Sequence, residues 1–572
     1  MQTDYFVALE NNSMVYSLRY YSGHSSELKD FKIKKSSSDI QFRKRCGDYE
    51  INGIFFHDHK QCIYKLDFPK AGDNAWISTT IEQGDSRYLS KIFFNEENFL
   101  RSGEISLIIP EEIDIDILEF NLENFNISKE ISDKGYYSVV TYKLNNLESL
   151  DYENIAGPSW IFPHIIVLSK GFKRGDDYVS LFDSNKSLYK WLYDLLPEYY
   201  QNQAIEQIVQ KLNVENAPDS VKLQAALNWV HENIRYIAFE DGIAGFKPSP
   251  VEQVLNDKYA DCKGMTNLLY FILKDMGFDA RRCWIGTDRL AYSYKFPSLA
   301  SDNHVICAVQ TDSGFIFIDP TDRYSIIGEP SEYIQSRLIA IENEGNTIID
   351  SIPAGKFDIN GENILSEVSL DSSILNISSS IFYRGVNRKE IQYFIYEVFG
   401  SDKQEYLQNI VRKFNSKLTV DTLQFKSIGN GSVFEIQFEM QGKNMVFNQA
   451  GKQFIPLDYD YSSNLKPIDT SRKVHFCHDN RMRKDYSTVF YLNENQHVDY
   501  LPQDSSLVYN GFAFYFSWKQ ENNKIIYNKR LDLKDRIIEV KDFADWNTFV
   551  DEYNKLQAEL IIISNQNEGE KN

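Results

Sequence analysis

The chain has 572 residues, 42% hydrophobic and 14% aromatic, with 61 Lys and Arg against 82 Asp and Glu for a formal net charge of -21. At roughly 100–200 residues per domain this length predicts three or four domains with cores of their own, and the composition excludes a disordered or collagen-like chain. So acidic a surface repels phosphate backbones, which argues against a nucleic acid partner, and no apolar run approaches the ~20 residues of a spanning helix, so no membrane insertion is expected.

Residues 1–175 read as strands. Short alternating runs at 61–68, 91–94, 104–109 and 136–143 are broken by Gly, Asn, Asp and Pro, the pattern of a β-sandwich. Residues 157–164, with Pro158 and Pro163, read as an exit linker. The amino terminus, MQTDYFVALENNSMVYS, lacks a basic n-region and an apolar h-region, so no signal peptide is expected and the chain reads as cytoplasmic.

Residues 184–350 change period. Helices are expected at 186–196 and 201–212, then at the apolar face of Leu223, Ala226, Leu227, Val230 and Ile234. The best helix follows a Gly- and Pro-rich loop. Met265, Leu268, Leu269, Ile272, Leu273 and Met276 share one face, Asp261 is a good N-cap, and Gly277 is a good C′ residue. Strands are expected at 280–285, 304–310 and 315–318. Residues 354–562 return to strands, divisible into two subdomains, with a helical interval near 389–414 and a helix at 546–560; 563–572 is a polar tail expected to fray. The fold class is multidomain α+β, a β-sandwich, then an α+β core, then a β-rich region.

Six cysteines, Cys46, Cys62, Cys262, Cys283, Cys307 and Cys477, are too sparse for a disulfide scaffold, and none shows Cys-x-x-Cys spacing. Five read as small buried apolar residues. Cys262 differs, because it opens a capped helix whose N-terminal partial charge favours thiolate, and it stands outside the apolar stripe. A thiolate needs a base that can hold a proton and return it to a leaving amine. His304 opens the run HVICAV, and Asp319 ends FIFID before Pro320, so the pair can be neighbours on an antiparallel strand pair. An orienting carboxylate fixes the imidazole tautomer. The backbone N–H of Cys262 can supply half an oxyanion hole, with Tyr236 or Trp284 as weak candidates for the other half. The bland alternative is a helix-terminal Cys and a hydrogen-bonded strand-end His. His57 with His59, and His475 with Cys477 and His478, are local pairs and clusters without metal-site spacing, so no metal is expected.

The run PSPVEQVLNDKYADCKGMTNLLYFILKDMGFDARRCWIGT, followed by SDNHVICAV and FIFIDPTD, resembles the nucleophile, His and Asp segments of transglutaminase-like proteins. The match is closest to large Bacteroidetes-type members with a β-rich N-terminal domain. That resemblance implies a papain-like cysteine protease core with Cys262, His304 and Asp319 as a triad. It further implies acyl transfer on a protein or peptide substrate by a peptidase, amidase or transglutaminase. Such relatives mature in the periplasm or on the envelope. Vertebrate members need calcium, but no Asp-x-Asp-x-Asp-Gly loop is present, so no cofactor is expected. Ala260 stands where the family usually has Gly, which puts the turn before the nucleophile in question. The competing reading is a catalytically silent binding or assembly protein that uses the core and its β-rich flanks as docking surfaces. No feature of the sequence sets an oligomeric state.

Overall fold

A computed structural model describes residues 1–565 apart from 9, 11, 22–25, 52–54, 95–98, 149–153, 241, 400–401, 429–430 and 461–462. Residues 563–565 of the tail expected to fray instead close the strand Leu560–Asn565, with Ile563 buried, and 566–572 lie outside the described residues. The chain divides into two compact units, residues 1–322 with 333–354, and residues 323–332 with 355–572.

Alternation builds the first unit's amino-terminal half. In Asn74–Gln83, Ala75 and Ile77 are buried while Trp76 between them is exposed, because successive strand side chains face opposite ways. This strand lies in a six-stranded antiparallel sheet ordered Ile127–Asp133, Tyr137–Leu147, Leu100–Pro110, Gln2–Val7, Asn74–Gln83, Ser26–Lys35. A second sheet pairs Phe55–Phe68 with Asn12–Tyr21 and Gln41–Ile51, and a third is centred on His164–Arg174. Tyr64, Leu66, Ile77, Tyr142, Leu144 and Ile165 lie at their common core.

Two expectations change here. Cys46 and Cys62, register partners on neighbouring strands, form a disulfide, so they are not free buried thiols; sixteen residues of hairpin hid a pairing that only register reveals. Residues 157–164 are not a free linker. Ser159 Oγ donates to the Arg289 carbonyl at 3.0 Å and accepts from the Ala291 N–H at 2.9 Å, while Trp160 Nε1 donates to the Asp288 carbonyl at 2.8 Å. His164 begins a sheet strand, buried, with Tyr292 Oη 2.6 Å from its Nε2. The prolines mark a tight docking turn rather than an exit, because its polar groups are satisfied by the following core.

That core holds helices Asn185–Asp194, Gln203–Leu212, Asp219–Asn233, Val251–Asp257 and Cys262–Asp275. Its five-stranded antiparallel sheet is ordered Gly314–Ile318, His304–Thr311, Ala280–Ile285, Leu338–Asn343, Asn346–Ser351. A core strand, Ala238–Glu240, also pairs in parallel with Phe55–His57 of the amino-terminal half. The helix Cys262–Asp275 was expected to bury one face, yet residues 263–273 are all buried. Sheet and flanking helices enclose it, so its polar residues need specific partners.

The second unit is an eight-stranded sheet in which Gly361–Asp371 and Met482–Tyr491 run parallel and the other neighbours antiparallel. Helix Phe543–Gln557 contributes Trp546, Phe549 and Tyr553 to its buried core.

Candidate active site

Cys262 is the first residue of its helix. Asp261 caps it, accepting from the Gly264 N–H at 2.9 Å through Oδ1, while Oδ2 takes a 2.5 Å ion pair from the buried Lys263. One carboxylate therefore satisfies a helix-end donor and a buried ammonium together. The left-handed residue before Cys262 is Lys258, at φ 61°, so Ala260 needs no positive φ and replaces Gly without strain. Its methyl does occupy space, and a Cβ added at Gly264 would lie 2.8 Å from the Ala260 Cβ. At the other end Gly277, at φ 87°, terminates the helix.

The helix is tied to the histidine strand by Thr266 Oγ1, which donates to the Val305 carbonyl at 2.9 Å. His304 is buried at the start of that strand, and its Nε2 is 2.9 Å from Asp319 Oδ2. Asp319 directly follows strand Gly314–Ile318, which pairs with the histidine strand from Cys307 onward. Register therefore brings together residues fifteen apart.

The carboxylate is held on every side. Its Oδ1 accepts from the Thr321 N–H at 3.0 Å and from Thr321 Oγ1 at 2.7 Å, and its Oδ2 also accepts from the Tyr333 hydroxyl. Tyr333 lies edge-on to the imidazole, with ring centroids 5.8 Å apart. Burial alone would lower the His304 pKa. The Asp319 charge and hydrogen bond, with a hydrogen bond to Cys262, outweigh it and push His304 up to about 10. Burial likewise opposes ionisation of Asp319, but His304, Tyr333 and Thr321 together hold its carboxyl well below the usual carboxylate range.

Tyr333 and Thr321 were not singled out from the sequence. Thr321 had a signal, since Asp-Pro-Thr is an Asx-turn pattern in which the Asp bonds the backbone two residues on. Tyr333 had none. Asp302, two residues before His304, was also missed; burial pushes it up to about 6, and it accepts from Tyr189 Oη at 2.6 Å and Tyr294 Oη at 3.0 Å. Beneath the helix Cys262–Asp275, Arg282 donates to Asn267 Oδ1 at 2.9 Å and to Glu342 at 2.7 Å.

Of the two oxyanion candidates, Trp284 packs in the core, 5.8 Å from the Tyr189 ring. Tyr236 pairs in parallel with Ala260, and the next N–H, of Ile237, donates to the Ala260 carbonyl at 2.9 Å. Cys283 and Cys307 are buried in the sheet. His478 packs against Phe476, Phe512 and Trp546, and among the described residues no three His, Cys, Asp or Glu side chains converge as metal ligands. The side chains of His57 and His59 lie outside the described residues.

By sequence comparison residues 206–320 match the transglutaminase-like superfamily, a span that contains Cys262 and His304 and ends one residue past Asp319. The transglutaminase-like domain is followed at residues 443–563 by a match to a domain of unknown function, DUF3858. Beyond these spans the likeness is structural. The crystal structure of a "putative protease" from Parabacteroides distasonis ATCC 8503 superposes with TM-score 0.58 at 9% identity, over 96% of this chain and 91% of that one. The likeness of fold therefore extends from the transglutaminase-like domain to both flanks. No curated protein sequence matches the chain.

Proposed function

We propose that the chain is a cysteine-dependent acyl-transfer enzyme acting on protein or peptide amides, with Cys262 as nucleophile, His304 as acid and base, and Asp319 as orienter. The observation that carries this reading is the position of His304, bound through Nε2 to Asp319 and interacting electrostatically with a partly exposed Cys262 at a helix N-terminus. Membership of the transglutaminase-like superfamily supports a peptidase- or transglutaminase-like activity, and so does the protease description carried by the P. distasonis protein.

The Cys262 thiolate attacks an amide carbonyl, forming a C–S bond. The oxyanion is met by the Cys262 N–H. The tetrahedral species collapses, the C–N bond breaks, and protonated His304 delivers its proton to the departing amine. A second nucleophile, water or an amine, then gives up a proton to neutral His304 and attacks the thioester. Acid or a new amide leaves, and the thiolate–imidazolium pair returns. Asp319 orients the ring throughout and stabilises its cationic form; it takes no proton.

Intact-mass labelling with iodoacetamide from pH 4 to 9 tests the assignment. The expected result is fast single-site labelling at pH 5–6, abolished in Cys262→Ala and slowed in His304→Ala. Cys262→Ala should abolish acyl transfer while leaving stability within about 1 kcal/mol. Labelling of Cys262 no faster at pH 5–6 than any free thiol would overturn the enzyme reading and favour a binding or assembly role.

A further inference from the structure

Cys262 packs, partly exposed, against a buried nucleus that includes Tyr189, Trp284 and Val305, and Trp191 and Phe246 pack partly exposed around the same nucleus. Trp191 meets Phe246 edge-on with centroids 5.6 Å apart. A third ring comes from the amino-terminal β region. Tyr88, in the short turn Ser86–Tyr88, is 6.5 Å from the Trp191 ring and 5.9 Å from the Phe246 ring. Three segments far apart in sequence thus gather three partly exposed rings, two of them packed on the nucleus that Cys262 also touches. Such a group is well suited to cover a large apolar side chain.

The charge next to these rings is already spent. The Arg87 guanidinium lies 5.4 Å from the Trp191 ring centroid and 5.9 Å from that of Tyr88. It is also bound by Asp85, with Nη2 to Oδ2 at 2.6 Å and Nε to Oδ1 at 3.0 Å. Asp85 in turn caps the turn by accepting from the Arg87 N–H at 3.0 Å. Arg87 is therefore a positioning residue that braces the rings and has no unpaired charge for a ligand.

We infer that Tyr88, Trp191 and Phe246 form a specificity subsite for a large aromatic or apolar side chain of the peptide acyl donor, next to the carbonyl that Cys262 attacks. This rests on the acyl-transfer reading and deepens it, because it makes the amino-terminal β region part of the active site. A charged side chain would lose its hydration against three rings that give it no counter-charge. A glycine would leave the rings in water.

The test uses the full chain and three peptidyl vinyl sulfones that differ only in the residue beside the electrophile: Phe, Lys or Gly. Each inactivation rate is divided by the same variant's rate with iodoacetamide, which has no side chain for the subsite. Wild type should prefer the Phe reagent at least 10-fold over the other two. Trp191→Ala and Tyr88→Ala should each erase most of that preference, and Trp191→Phe should retain it. Equal rates for Phe and Gly in the wild type overturn the subsite, and so does a preference that survives both alanine variants. If iodoacetamide itself finds no activated thiol, the acyl-transfer reading falls separately. Calorimetric binding of the matching Phe and Gly peptide amides to the Cys262→Ala chain then decides the subsite, with 10-fold tighter binding of Phe expected and equal binding overturning it.

Discussion

Two of the regions that bury charge differ in what their charged groups meet. In the second unit Lys529 is buried, paired with Asp458 at 2.6 Å and lying 3.8 Å from the Tyr486 ring centroid. Tyr527 donates to Asp458, Tyr486 donates to both Glu362 and Asp460, and Lys484 pairs with Glu362 at 2.8 Å. Each of these charges ends on another group of the same network, with Lys484 and Glu362 at its partly exposed edge. Around His304 the same physics holds the pair with Asp319, but the imidazole also reaches Cys262, which is partly exposed. Buried charge by itself marks an ordered core, since desolvation must be offset by well-placed partners in both regions. The distinguishing feature is a pair left open on one side toward a partly exposed cysteine.

Breaking the open pair should have the largest effect. Asp319→Asn is expected to lower the acyl-transfer rate on the order of 10⁴-fold, because the amide can hold the wrong tautomer and cannot support an imidazolium. The same variant reads the pair's contribution to stability. His304, with its folded pKa raised to about 10, adds stability that is complete below its unfolded pKa of about 6.5 and is lost as pH rises through 10. Asp319, with its folded pKa depressed, adds stability that is complete above about pH 4 and is lost as pH falls. The gap in melting temperature between wild type and Asp319→Asn should therefore be widest between about pH 4 and 6.5 and narrow on both sides. A gap that does not vary with pH would show that the pair is not ionised in the fold.

The closed network should respond in stability and not in chemistry. Lys529→Met leaves Asp458 buried without its cation and is expected to cost about 3–5 kcal/mol in urea unfolding, while folded protein keeps its Cys262 labelling rate. Adding Asp458→Leu removes the stranded charge and should restore most of that loss. A double variant no better than the single would mean that the network does more than neutralise itself.

The smallest expected change tests how the nucleophile's turn is packed. Gly264→Ala forces a methyl to within 2.8 Å of the Ala260 Cβ and should cost about 1–3 kcal/mol, beyond what better helix propensity returns. Ala260→Gly in the same chain should recover it. If Gly264→Ala is neutral in thermal unfolding, the two positions do not constrain each other.

Much of the core was legible because its signals are local. Asp261 and Gly277 bracket the helix from Cys262, His304 starts its strand, and Asp319 stops where Pro320 forbids further pairing. The helix boundaries hardly moved for the same reason, since a cap needs only the next turn of chain. The supports around those residues were not legible. Tyr333 reaches Asp319 from a separate short turn, and Arg282 joins Asn267 to Glu342, sixty residues further along the chain than itself. No spacing rule encodes either contact.

By itself the sequence determined the α+β class, the capped helix that presents Cys262, and the strand ends that carry His304 and Asp319, because each depends on neighbours within a turn or a strand. Only the tertiary structure decided which groups hold Asp319, that Cys46 meets Cys62, and that residues 157–164 dock on the core instead of leaving it. It alone brought Tyr88 beside Trp191 and Phe246. Those outcomes rest on strand register and on packing between segments tens to hundreds of residues apart, where the free energy lies in contacts that no local pattern records.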